Sequence, residues 1–198
     1  MSIVVASARA ELNARRSNRL PPVLLGYAIE CLVEACALIG GAGRLTTARP
    51  DSDVDHKDFI VDERGGYRSI YLQVKGSPRL YEGGEFEINV RYPKNKVLSS
   101  PRLVYVLCLL DAKGMRLTRM WVVPARDFSR LANRSYVSRG RVQLLFRAGR
   151  TGKWAKYEID PSQLGPRLLE IIRRLPRQAT ARRTVARIAA KRQVRKAA

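Results

Sequence analysis

Histidine is almost absent from this chain, with His56 the single one among 198 residues. A Ser-His-Asp or Cys-His catalytic arrangement would have to use it, yet it sits in a polar stretch with no nucleophile beside it, the setting of a solvated loop residue. Cysteine is scarce too. Cys31, Cys36 and Cys108 all lie in apolar runs, so a zinc site is excluded and the odd count reads as reduced core thiols of a cytoplasmic protein. The longest apolar stretch, Val23 to Ile39, is interrupted by Glu30 and Glu34, which argues against a membrane span. The first residues are only briefly apolar before Arg9, Arg15, Arg16 and Arg19, unlike a secretory leader. Acid is the other shortage. There are 17 Asp and Glu against 38 Lys and Arg, a net charge of +21. Because 45% of the residues are hydrophobic, the chain can bury a core and is not a wholly disordered polybasic segment. A folded body with that much positive charge calls for a polyanionic partner, by default nucleic acid.

The few acids are gathered rather than spread. Asp51, Asp53, Asp55, Asp58, Asp62 and Glu63 fall in one short stretch, and Glu82, Glu85 and Glu87 follow. These nine are more than half of all the carboxylates. Such a cluster is either a solvated acidic loop or a divalent-cation site facing a phosphate backbone, where the cation reconciles the two negative partners. From Arg173 to Ala198 the balance reverses, with ten basic residues and no acid. That tail carries Arg177, Arg182, Arg183, Arg187, Lys191, Arg192, Arg195 and Lys196, candidates for salt-sensitive contact with nucleic acid.

The pattern between these extremes is that of a mixed α/β domain over 21–175, preceded by an arm (1–20) and followed by the basic tail (176–198). Pro21-Pro22 opens a helix that Gly40-Gly41 ends, and its apolar character on nearly all sides predicts burial. Strands are predicted at 44–48, 59–62 and 69–75, the last two joined by a turn at Gly65-Gly66. Residues 86–91 alternate as a strand or flap, 93–100 form a short helix or loop, and 103–110 read as a central strand buried on both faces. A strand at 119–123 precedes one or two helical turns at 127–132. A hairpin of 142–147 with 154–159 and a helix over 161–175 complete the domain. Trp121 and Trp154 are expected in the core.

Chemistry concentrates in Asp55-His-Lys-Asp58-Phe-Ile-Val-Asp62 and Tyr71-Leu-Gln73-Val-Lys75. On a strand, Gln73 and Lys75 share one face while Leu72 and Val74 take the other. A two-residue turn at Gly65-Gly66 places Asp58 opposite Gln73; a three-residue turn would bring Asp55 there instead. Either way a carboxylate, an amide and an ammonium converge. That set suits phosphodiester hydrolysis assisted by Mg2+ or Mn2+, with Gln73 Oε1 and the Val74 carbonyl as further oxygen ligands and Lys75 near the attacking water.

Asp58 followed by a hairpin and then Gln73-Val74-Lys75 resembles the PD-(D/E)XK nuclease superfamily, in its Gln-x-Lys variant, over roughly residues 21–125. The resemblance implies a restriction-endonuclease-like fold (αβββαβ, a mixed central sheet flanked by helices). Gly26-Tyr-Ala-Ile-Glu30 matches the superfamily's Gly-x-x-x-Glu on the preceding helix, which implies that Glu30 helps at the metal. The activity implied is that of a metal-dependent DNA endonuclease, with Asp58 or Asp55, Glu30 and Gln73 holding the cation and Lys75 serving the water. DNA is the implied partner, RNA and a second copy of the chain being further candidates. The alternative is a nucleic-acid-binding protein that keeps the fold without catalysis, since Gln73 removes one charge from the usual site. Glu30 and Glu34 also admit a purely structural reading, as helix acids paired with an arginine.

Overall fold

The computed structural model describes residues 20–50, 57–66, 68–93, 100–137, 140–149 and 151–176. Most of the expected arm and nearly all of the basic tail lie outside them, including every tail residue named above, and so do Asp51, Asp53, Asp55 and His56.

Pro22 stands at the start of α1 (Pro22–Gly40), where a missing amide hydrogen costs nothing, and the Gly41 N–H closes the helix on the Ala37 carbonyl. The chain then forms β1 (Leu45–Ala48), β2 (Phe59–Glu63) and β3 (Ser69–Ser77), an antiparallel meander. β3 continues through β4 (Phe86–Pro93) into β5 (Leu103–Asp111), and β5 pairs with β3 in parallel. β6 (Arg116–Pro124) returns beside β5 and leads into the short helix α2 (Ala125–Leu131). β7 (Asn133–Val137), β8 (Arg141–Ala148), the two-residue β9 (Glu158–Ile159) and α3 (Leu164–Arg174) follow.

Among the described residues the strands make two sheets. A mixed six-stranded sheet runs β1-β2-β3-β5-β6-β9, and a three-stranded antiparallel sheet runs β4-β8-β7. The protein is thus a mixed α/β fold. Strand alternation splits the core in two. Leu72, Val74, Val104, Val106 and Cys108 face α1 and α3, meeting Ile29, Val33, Leu168 and Ile172. The opposite faces of the same strands carry Tyr105, Leu107 and Trp121 toward the second sheet, where Phe86, Tyr92, Leu144 and Phe146 meet them. All eight residues from Leu103 to Leu110 are buried, as the uninterrupted apolar run predicts for a central strand.

Three expectations are corrected. The chain over 142–147 does not pair with 154–159. Instead β8 inserts between β4 and β7, and Glu158–Ile159 joins the main sheet through Met120 and Trp121, because Phe146 and Leu144 bury against the main sheet's second face. Trp154 accordingly packs in the core from a turn rather than a strand, tilted against Phe146 with centroids 4.6 Å apart. α1 is not buried on all sides: Ile29, Val33 and Ala37 are buried, whereas Val23 and Ile39 are 81% and 80% exposed. Only one helix face can reach the sheet, and no described element covers the other. Finally, Glu30 and Glu34 do not disqualify α1 by composition, since it is long and apolar enough to cross a membrane (mean hydropathy 1.9). In this fold its buried face packs on the sheet.

Candidate active site

The site lies where β3 outruns β2. The hairpin turns at Arg64-Gly65, with Gly65 at φ 74° and the Gly66 N–H donating to the Glu63 carbonyl at 2.7 Å. The ladder that follows pairs Asp62 with Ser69 and Phe59 with Leu72. That register is the one the shorter turn gives, but the turn itself falls at Arg64-Gly65 rather than Gly65-Gly66, and the ladder ends at Phe59, one residue short of Asp58. The last backbone bond is from the Asp58 N–H to the Leu72 carbonyl, 2.8 Å. The Asp58 side chain takes over, with Oδ2 accepting from the Val74 N–H at 2.6 Å. A carboxylate used as a strand-end acceptor has little rotational freedom, so Asp58 is held at a fixed place on the sheet.

Lys75 reaches the same carboxylate, its Nζ 4.0 Å from Asp58 Oδ2. The lysine side chain is 39% exposed and the aspartate 13%, so the pair sits at the mouth of a depression rather than in the interior. Among the described residues, Asp58 Oδ1 has no hydrogen-bond partner.

Gln73 is buried at 2% exposure, the one buried polar side chain among the described residues. β3 and β5 pair so that Gln73 is beside Tyr105. Tyr92 descends from β4 in the overlying sheet, and its hydroxyl donates to Gln73 Oε1 at 2.8 Å while also bonding the Tyr105 hydroxyl. With the Tyr92 proton committed to Gln73, the Tyr105 hydroxyl must donate to Tyr92. Burial raises the Tyr105 phenol well above its ordinary range, so it stays protonated. A chain of Tyr105, Tyr92 and Gln73 thus fixes the amide from below.

Glu30 enters from α1, on the other side of the sheet's end. Arg49, just past β1, holds it: Nη1 is 2.9 Å from Glu30 Oε2 and Nη2 is 3.3 Å from Glu34 Oε2. Thr47 Oγ1 adds a 2.7 Å bond to Glu34. The Arg49 guanidinium lies over the Phe59 ring, 4.5 Å from its centroid. Burial works against its charge, but the bonds to Glu30 and Glu34 and the attraction of both carboxylates outweigh it, and its pKa is raised. The structural reading of Glu34 fits this network, and Glu30 combines it with a position on the site.

These pieces meet in one cleft of about 530 Å3, lined by Glu30, Asp58, Gln73 and Lys75 together with Asn89 and Arg91 of β4. The four sequence candidates within the described residues are therefore gathered. Three other acids of the cluster are used elsewhere: Glu63 bonds Arg173, and Glu85 and Glu87 pair with Arg147. Among the described residues no three His, Cys, Asp or Glu side chains converge as metal ligands. The cleft offers oxygen donors: the Asp58 carboxylate, the Gln73 amide oxygen and, through the carboxylate oxygen that Arg49 does not hold, Glu30. Hard oxygen donors in small number match Mg2+ or Mn2+, which keep several waters and take substrate phosphate as well; thiolate or imidazole metals find nothing here.

Sequence reasoning missed Arg49, Tyr92 and Tyr105. The alternation Phe86, Ile88, Val90, Tyr92 does mark Tyr92 as inward-facing, but no local signal in the sequence places a residue of β4 over β3.

No family model matches the chain, and no curated protein matches it. Among solved structures it is similar to a bacterial homing endonuclease, I-Ssp6803I, with 15% identity and a TM-score of 0.48, over 70% of this chain and 89% of that one.

Proposed function

We propose that this protein is a metal-dependent nuclease of the PD-(D/E)XK type that hydrolyses phosphodiester bonds in DNA. The observation that carries the reading is the convergence of Asp58, Gln73, Lys75 and Glu30 on one cleft, in a chain of net charge +21. Asp58, Gln73 and Glu30 are the groups that would hold Mg2+ or Mn2+. When bound, such an ion supplies positive charge to the scissile phosphate and makes a coordinated water more acidic. Lys75 stands beside the carboxylate and is exposed enough to reach a water or a phosphate oxygen. As an ammonium it donates a hydrogen bond to the charge that grows on phosphate; as an amine it accepts the water's proton. Asp58 keeps Lys75 directed into the cleft, and the Tyr92 bond holds Gln73 still while substrate arrives.

Purified protein is expected to cut plasmid or duplex DNA in Mg2+ or Mn2+ and to lose that activity with Lys75→Ala. Undiminished cutting by this variant would remove Lys75 from the mechanism.

A second reading is favoured by the state of the ligands. Gln73 is neutral and its Oε1 is engaged, and of the two acids lining the cleft Glu30 is paired with Arg49, which leaves Asp58 without an arginine partner. A non-catalytic DNA-binding module would fit that. It is distinguished by tight, salt-sensitive DNA binding without cleavage in either cation.

A further inference from the structure

The outer face of the second sheet carries a set of side chains that catalysis does not use. β4 alternates, so Phe86, Ile88, Val90 and Tyr92 point into the core while Asn89 and Arg91 point outward. β8 does the same with Val142, Leu144 and Phe146 inward and Gln143 outward. Arg91 is paired directly with Gln143 in the ladder, and Ser135 of β7 flanks Gln143 on its other side. The side chains are joined in a row: Arg91 Nε donates to Gln143 Oε1 at 3.0 Å, and Gln143 Nε2 donates to Asn89 Oδ1 at 2.7 Å. Asn89 and Arg91 also line the cleft that holds Asp58 and Lys75.

We infer that this β4–β8 face reads base edges in the major groove of double-stranded DNA, beside the cleft; the inference rests on the DNA-directed reading above but not on cleavage. Three features carry it. Arginine, asparagine and glutamine are the side chains whose paired donors and acceptors match guanine and adenine edges. The row of bonds spends Arg91 Nε and leaves its two terminal nitrogens directed at no described residue, so a bidentate fork is held ready rather than tied up. Glu87 of β4 and Glu85 just before it both pair with Arg147 at the end of the strand away from Arg91, so the end nearest the cleft carries no acid of this sheet. Dimensions agree as well. A pair of strands about 4.8 Å apart enters a groove about 12 Å wide, and β4 is the edge strand of its sheet. Duplex RNA closes its major groove to such an element, so the surface selects DNA.

The test uses the full chain and a pool of randomised 30-base-pair duplexes, with the bound fraction sequenced in Ca2+ so that cutting does not enter. The wild type is expected to enrich a short motif. Arg91→Ala and Gln143→Ala are each expected to relax one or two positions of it, by roughly 10- to 100-fold in base preference, with the salt dependence of binding unchanged. Melting temperatures should stay near wild type, since both side chains stand outside the core. An unenriched pool, a motif that survives both substitutions, or equal selection from duplex RNA would each overturn the inference. Absence of all DNA binding would overturn it together with the functional reading. A motif without any cleavage would leave the inference standing and remove only the nuclease.

Discussion

Tyr92 donates to Gln73 Oε1 at 2.8 Å across the gap between the two sheets, so the amide of the proposed site is aimed by a residue of a different layer. Both groups are at most 2% exposed, and neither has water to fall back on. Tyr92→Phe removes one hydroxyl and leaves two buried polar atoms, Gln73 Oε1 and Tyr105 Oη, short of a partner. The expected cost is about 1–3 kcal/mol of stability in denaturant titration. Cleavage should fall on the order of 10-fold, the usual effect of losing a group that orients a ligand. A variant as active and as stable as wild type would show that the tyrosine chain does not position Gln73.

Asp58 has two duties that two substitutions can separate. It accepts the Val74 N–H and it supplies charge to the cleft. Asp58→Asn keeps an oxygen for the amide but no charge, so its stability is expected within about 1 kcal/mol of wild type. Its cutting should drop roughly 100-fold or more, because charge stabilisation at a metal is worth several kcal/mol and each 1.36 kcal/mol is tenfold. Asp58→Ala should be equally inactive and also less stable, by about 1–3 kcal/mol, from the orphaned amide. Retained activity in Asp58→Asn would take the carboxylate out of the chemistry.

The legible part of this site was the part written locally. Strand period and hairpin closure depend on neighbouring residues, and they sufficed to bring Asp58 against β3 and to put Gln73 and Lys75 on one face. The central strand at 103–110 was equally plain, because burial on both faces leaves no room for polar residues. What could not be read was the second sheet. β8 pairs with β4, some fifty residues away, and its choice of partner is decided by the aromatic packing of Phe86, Trp121 and Phe146 rather than by its own turn. The same packing brings Tyr92 over Gln73. The Arg49 pairing with Glu30 was foreseeable in kind, as an arginine on a helix acid, but not in identity, since the two stand nineteen positions apart.

Helix α3 starts against the end of α1 with no space between them. A Cβ on Gly165 would stand 2.0 Å from the Gly41 nitrogen and 2.2 Å from the Gly40 carbonyl carbon. Both are backbone atoms and cannot rotate aside. Gly165→Ala gains about 1 kcal/mol of helix propensity, but the two helices must move apart, a strain of typically 1–3 kcal/mol, occasionally more. A net loss of stability is expected in chemical denaturation, larger than for Gly26→Ala, where nothing lies within 4 Å of the added carbon. Equal stabilities for the two variants would contradict this contact.

Glu63 ties β2 to α3 through Arg173, whose Nε and Nη2 stand 2.9 and 2.6 Å from Glu63 Oε1. The hydrogen bond from Arg173 lowers the Glu63 pKa, burial opposes the shift, and the charges of Arg173, Arg44 and Arg68 lower it further. A carboxylate with a depressed folded-state pKa contributes stability that is fully present above its unfolded value, near 4.5, and is lost as the pH falls through the lower folded value. The pair is solvent-facing, with Arg173 55% exposed, so screening limits the contribution to at most about 1 kcal/mol. Stability of wild type and Glu63→Gln should therefore differ at neutral pH and converge in acid below the carboxylate range. Added salt should narrow the neutral difference. A gap that stays constant from neutral to strongly acidic solution would mean that the glutamate acts through packing rather than through its charge.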